Sequence, residues 1–157
     1  MTNTIELLND FKVELPSWGS ADTGTRFGKF AQPAAASTIE EKLEDAGLVH
    51  QLTGACPAVA LHVLWDFKAG VNPADISALA KKHGVQIGAI NPNYFQHQEY
   101  RYGGAASPES VAREMATQHT FDSIEIARAV NSKVLSLWFP DGINYPGQDD
   151  IVERKHR

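Results

Sequence analysis

A single cysteine, Cys56, is all the thiol chemistry in this chain of 157 residues. No intrachain disulfide can form, and a zinc site built from several thiolates is excluded. Long apolar runs are missing as well: no uninterrupted stretch approaches the roughly 18 residues of a membrane span. The amino terminus, Met1-Thr2-Asn3-Thr4-Ile5-Glu6, lacks the basic-then-apolar order of a signal peptide. Basic residues are scarce: 14 Lys and Arg stand against 19 Asp and Glu, for a net charge of −5. They gather only at Arg154-Lys155-His156-Arg157, which leaves no electrostatic footprint for nucleic acid. Neither a G-x-G-x-x-G fingerprint after a strand nor a Walker A sequence occurs, so the common phosphate cradles are absent. These absences predict a soluble protein of a reducing, cytoplasmic compartment, with neither nucleic acid nor a membrane as partner.

What is present is ordinary globular composition, 43% hydrophobic and 21% charged, in a chain long enough for one domain with its own core. Strand and helix signals alternate. A first strand is expected within residues 11–18, followed by a loop over 19–36 rich in Gly, Ala, Thr and Pro. Ser37-Thr38-Ile39-Glu40 matches a capping box and opens a helix that Gly54 can close in a left-handed conformation. A second strand over 59–64 is almost wholly apolar, as a strand covered on both faces should be. Asn72-Pro73 opens the next helix, which ends at His83-Gly84, and a third strand follows over 85–90. Ser107-Pro108 begins the longest helix, with Val111, Met115, Ile124, Ala127 and Val130 at helical spacing and Asn131 as its terminator. A fourth strand is expected from Val134, ending just before Trp138, and the last residues read as the first turns of another helix. Repeated βα units imply a parallel sheet with right-handed crossovers. The expected fold is therefore α/β: about four parallel strands and three complete helices, an incomplete (β/α)8 TIM barrel within a single domain spanning 1–157. A full barrel takes about 250 residues.

All three tryptophans, Trp18, Trp65 and Trp138, fall just past the ends of expected strands. In a parallel sheet those ends face one way and form the crevice where ligands bind. Three indoles on that rim suit a sugar, whose C–H faces pack on aromatic rings, although large aromatics also simply fill cores. His62 interrupts the apolar second strand close to its carboxyl end. It could exchange a hydrogen bond with a sugar oxygen, or be an ordinary hydrogen-bonded core histidine. Phe27 lies in the first loop, placed to act as a lid, to reach another subunit, or to pack on its own domain. Asn91, Asn93, Asp141 and Asn144 follow strands, where their side chains could bind hydroxyls or cap turns. The pairs His97 with Glu99 and Asp141 with Asp149 are too thin to argue for a metal.

The segments Pro16-Ser17-Trp18-Gly19 with Gly24-Thr25-Arg26-Phe27, Leu61-His62-Val63-Leu64-Trp65-Asp66, and Trp138 with Asp141-Gly142 and Asn144-Tyr145-Pro146-Gly147-Gln148 resemble the bacterial L-rhamnose isomerases of the xylose isomerase-like barrel superfamily. The resemblance runs in order from about residue 11 onward. It implies an aldose–ketose isomerase on a (β/α)8 barrel, a homo-oligomer that is usually tetrameric, using Mn2+ or another divalent metal to assist a hydride shift between two sugar carbons. By the same resemblance His62 contacts the sugar near its ring oxygen, Trp18, Trp65, Phe95 and Trp138 form the apolar pocket, and Phe27 reaches a neighbouring subunit's site. The metal ligands of that family come from the second half of the barrel. The chain is thus expected to be an amino-terminal half without its metal site, inactive alone. Other readings are a non-catalytic sugar-binding or assembly fragment, and another enzyme of the superfamily such as a sugar epimerase.

Overall fold

The computed structural model describes residues 3–11, 13–22, 32–141, 147 and 149–157. Among them, β1 (Glu14–Pro16), β2 (Ala58–His62) and β3 (Gln86–Asn91) form a parallel sheet in the order β1-β2-β3. Six helices accompany it: α1 (Thr4–Asp10), α2 (Ile39–Thr53), α3 (Val63–Asp66), α4 (Pro73–Lys82), α5 (Ser110–Ala129) and α6 (Ile151–His156). The class is α/β, and the parallel order follows the chain as the repeated units require.

Local chemistry accounts for the helix ends. Thr38, not Ser37, is the N-cap of α2: its hydroxyl accepts from the Glu41 N–H, and the Glu41 carboxylate takes the Thr38 N–H in return. Gly54 closes that helix at φ +67°, where a side chain would be strained. Asn72 caps α4 ahead of Pro73, whose missing N–H costs nothing at the first helical position. The longest helix begins at Ser110, later than Ser107-Pro108 suggests, because the Ser107 hydroxyl is used to accept from the Glu109 N–H in the preceding turn. Asn131 follows α5 at φ +58°.

The two faces of the sheet differ. Val59 and Leu61 pack with Leu43 and Ala46 of α2, Ile76 and Ala80 of α4, and Ala127 and Val130 at the end of α5. Ala60 and His62 alternate with them onto the opposite face. A bulge in β3 sets Val59 opposite Ile87 but Leu61 opposite Ile90. The Glu14 carboxylate reaches across β2 to accept the Ala89 N–H at 2.8 Å, passing where a Cβ on Gly88 would collide with it.

Two strands depart from expectation. β2 ends at His62, and residues 63–66 coil into the single turn α3. The segment 133–138 is not a full strand: Leu135 makes one parallel bridge to Ile90. The Ser132 hydroxyl donates to the Gly88 carbonyl at 2.6 Å, occupying an acceptor that a longer ladder would use. A fourth position in the sheet is therefore marked but barely paired.

Candidate functional site

The carboxyl ends of β1 and β2, and the loop after β3, bring together an aromatic cluster. His62 and Trp65 stack with ring centroids 3.9 Å apart and planes 21° from parallel. Trp18 meets both edge-on, at 6.0 Å from His62 and 5.5 Å from Trp65. Phe95 closes the other side at 5.6 Å from His62 and 6.2 Å from Trp65, and it also contacts Trp138 at 5.0 Å. Trp138 remains 53% exposed. Five of the six residues singled out from the sequence thus form one continuous surface; Phe27 lies outside the described residues, as does Asn144.

His62 is the polar centre of this cluster. It is 3% exposed, and burial pulls its pKa down from 6.5 to about 4, Asp66 opposing that shift and Lys42 adding to it. The ring is therefore neutral at pH 7. Its Nδ1 accepts the Leu64 N–H at 3.2 Å, so the remaining proton sits on Nε2. That atom is buried and has no hydrogen-bond partner among the described residues. An unmet buried donor costs about 1–3 kcal/mol. The structure therefore holds an N–H that an oxygen atom would satisfy, surrounded by rings that suit C–H surfaces.

Other side chains serve this arrangement, and sequence patterns did not single them out. The Trp65 indole N–H donates to Gln96 Oε1 at 3.1 Å. Behind the rings, Lys42 and Asp66 form an ion pair at 2.7 Å with side chains 4% and 0% exposed. Lys42 stands among Glu40, Glu41, Glu44 and Asp45, in a run that reads as a solvated helix face. Its burial could not be seen without its partner.

The polar residues after the strands mostly hold loops. Asn91 donates its amide to the Leu61 carbonyl, and Asn93 Oδ1 accepts the N–H groups of Phe95 and Gln96. Asn93 thereby fixes the turn that presents Phe95. Asp141 is buried and accepts from the Gly104 and Ala106 N–H groups, tying two loops together. Two open grooves of about 460 and 540 Å3 lie beside α4, one against α5 and the start of β3, the other against α2. Both are at the amino-terminal end of the sheet, and neither includes any of the clustered rings.

Rings from successive parallel strand ends around one neutral, unpaired imidazole N–H make a surface for a hydroxylated, partly apolar molecule. The chain is similar to proteins named as probable sugar isomerases. One, from Rhizobium meliloti (strain 1021), is 37% identical over an alignment of 155 positions that covers 94% of this chain and 35% of the relative. Another, from Mesorhizobium japonicum (strain LMG 29417 / CECT 9101 / MAFF 303099), is 37% identical over 152 residues, with the same shares. No protein-family model matches the chain. The chain spans about a third of the length of these curated relatives.

The metal that the resemblance to L-rhamnose isomerases implies can be tested against the donors present. Among the described residues no group of three or more His, Cys, Asp and Glu side chains is placed to hold a metal ion. His97 lies near His119, with centroids 5.1 Å apart and planes tilted by 49°, and the carboxylate of Asp141 is spent on backbone N–H groups. These residues do not fit a divalent ion. No helix among the described residues is long and apolar enough to cross a membrane.

Proposed function

We propose that this chain supplies the sugar-binding aromatic wall of an aldose–ketose isomerase of the L-rhamnose isomerase kind. The observation that carries the reading is the His62 Nε2–H, buried and without a partner among the described residues, between Trp18, Trp65 and Phe95, with Trp138 continuing the surface beyond Phe95. The similarity to probable sugar isomerases supports it. In this reading the indoles pack on the C–H face of the sugar, and His62 donates to a ring or hydroxyl oxygen. Because the rings shield Nε2 from water, Phe95, carried on the loop after β3, is the ring that moves in this reading for the oxygen to arrive. Trp65, held at its indole nitrogen by Gln96, is the ring that covers the imidazole face.

The chain's own part is binding, orientation and exclusion of water. A divalent ion such as Mn2+, and the groups that act on the reacting carbons, belong in this proposal to polypeptide beyond the residues described, as does assembly into a homotetramer. The architecture is correspondingly the first strands of a (β/α)8 barrel. Calorimetric titration with L-rhamnose tests the reading. Binding is expected, weakened at least tenfold in Trp65→Ala and in His62→Phe, and no isomerisation is expected from this chain with Mn2+ alone. Absence of binding by the unmodified chain would defeat the proposal. Robust turnover would show instead that the chain holds its own reactive centre.

A further inference from the structure

Asp66 does more than close one ion pair. Its carboxylate receives donors from three separate elements. Lys42 Nζ, from α2, donates to Oδ1 at 2.7 Å. The Ser17 hydroxyl, just past β1, donates to Oδ2 at 2.5 Å, and the His62 backbone N–H, at the end of β2, donates to the same oxygen at 2.8 Å. Each attachment lies at or beside a ring of the wall: Ser17 precedes Trp18, His62 is itself the central ring, and Asp66 follows Trp65. The Ser17 N–H is in turn bound to the Ala60 carbonyl at 2.9 Å, which pins that corner to β2. Ser17, Lys42, His62 and Asp66 are all buried.

Burying an ion pair is a poor way to gain stability, because desolvation offsets most of the attraction and apolar replacements often do as well. Its geometry explains it better. The mutual angles of Trp18, His62 and Trp65 depend on the ends of two strands and the single turn α3, and one carboxylate joins all three. We propose that Asp66, neutralised by Lys42 and joined to Ser17, is the positioning residue of the aromatic wall, holding Trp18, His62 and Trp65 in place before a sugar arrives. The proposal rests on the sugar-binding reading. A wall already in place spares the ligand the cost of ordering side chains, roughly tenfold in affinity per ring at the upper end.

Ser17→Ala is the decisive variant, since it deletes one hydroxyl and leaves the ion pair standing. Lys42→Met combined with Asp66→Asn removes both charges together, so that no buried charge is left alone. The readouts are the exciton couplet of the Trp18–Trp65 pair in circular dichroism and the affinity for L-rhamnose. Ser17→Ala is expected to keep its helical signal and cooperative melt, to show a diminished couplet, and to bind L-rhamnose about fivefold more weakly. The double variant is expected to lose most of both. A purely structural role would lower the melting temperature and leave the couplet and affinity of the folded protein unchanged; that result in Ser17→Ala overturns the proposal, whether or not the double variant folds. A diminished couplet in a chain whose parent takes up no L-rhamnose would uphold the positioning role and defeat the sugar reading instead.

Discussion

At the scale of the residue, the chemistry of the wall turns on a histidine kept neutral. Burial depresses the pKa of His62 from 6.5 to about 4. Above pH 6.5 both folded and unfolded chains carry it uncharged, and its titration takes nothing from stability. Below that value the unfolded chain binds a proton that the folded chain refuses, so stability falls progressively until about pH 4, where the folded form protonates as well. At 1.36 kcal/mol per unit of pKa difference the loss is on the order of 3 kcal/mol. Thermal melts between pH 6.5 and 4 should therefore show a declining melting temperature, and His62→Phe should flatten that decline while keeping a ring in the stack. An equally steep decline in His62→Phe would assign the acid sensitivity to other groups. If the chain takes up L-rhamnose as proposed, its binding in the same range should persist until His62 itself protonates.

At the scale of the element, helix α2 offers the cleanest measurement. Thr38→Ala removes the hydroxyl that receives the Glu41 N–H and should cost about 1 kcal/mol. For a chain of this size that lowers the melting temperature by about 3 °C. Ser37→Ala should do less, because the Ser37 hydroxyl only donates to the Glu41 carboxylate. A larger loss for Ser37→Ala would return the cap to Ser37. Ser37-Thr38-Ile39-Glu40-Glu41 contains two overlapping capping boxes, and only the backbone decides which serves. β2 was hard to delimit for a related reason. Val63 and Leu64 continue an apolar run, yet the His62 ring captures the Leu64 N–H and the Asp66 carboxylate captures the His62 N–H, so side-chain caps coil the backbone where hydrophobicity alone says strand. The order of strands and helices and the gathering of Trp18, His62, Trp65 and Trp138 were legible, because they depend on periodicity and on where parallel strands end. The Ser17–Asp66–Lys42 junction was not, since it joins residues far apart in sequence whose types give no pattern. α1 also went unread; its Asn3–Glu6 capping box is short and its Ile5, Leu7 and Leu8 remain exposed.

At the scale of the molecule, the described sheet is covered on one face and open at its edges. α2, α4 and α5 pack over Val59, Leu61 and Ile90. On the far side, the 133–138 segment joins β3 through a single bridge at Leu135. Val134, Leu137, Trp138 and Phe139 around that edge are 44–55% exposed. Parallel strands are ordinarily buried, and an exposed apolar edge is a template for pairing with another chain. The chain should therefore self-associate at micromolar concentration, with light scattering giving a mass above that of one chain. Leu137→Lys places a charge on the edge, the device by which natural sheets discourage pairing, and should shift the mass toward the monomer while leaving the His62–Trp65 stack intact. A parent chain that is cleanly monomeric and melts cooperatively would mean that this edge is self-sufficient. An associated state indifferent to Leu137→Lys would move the contact to another surface, with the exposed Ile5 and Leu8 of α1, and Phe11 just past it, the next to be substituted.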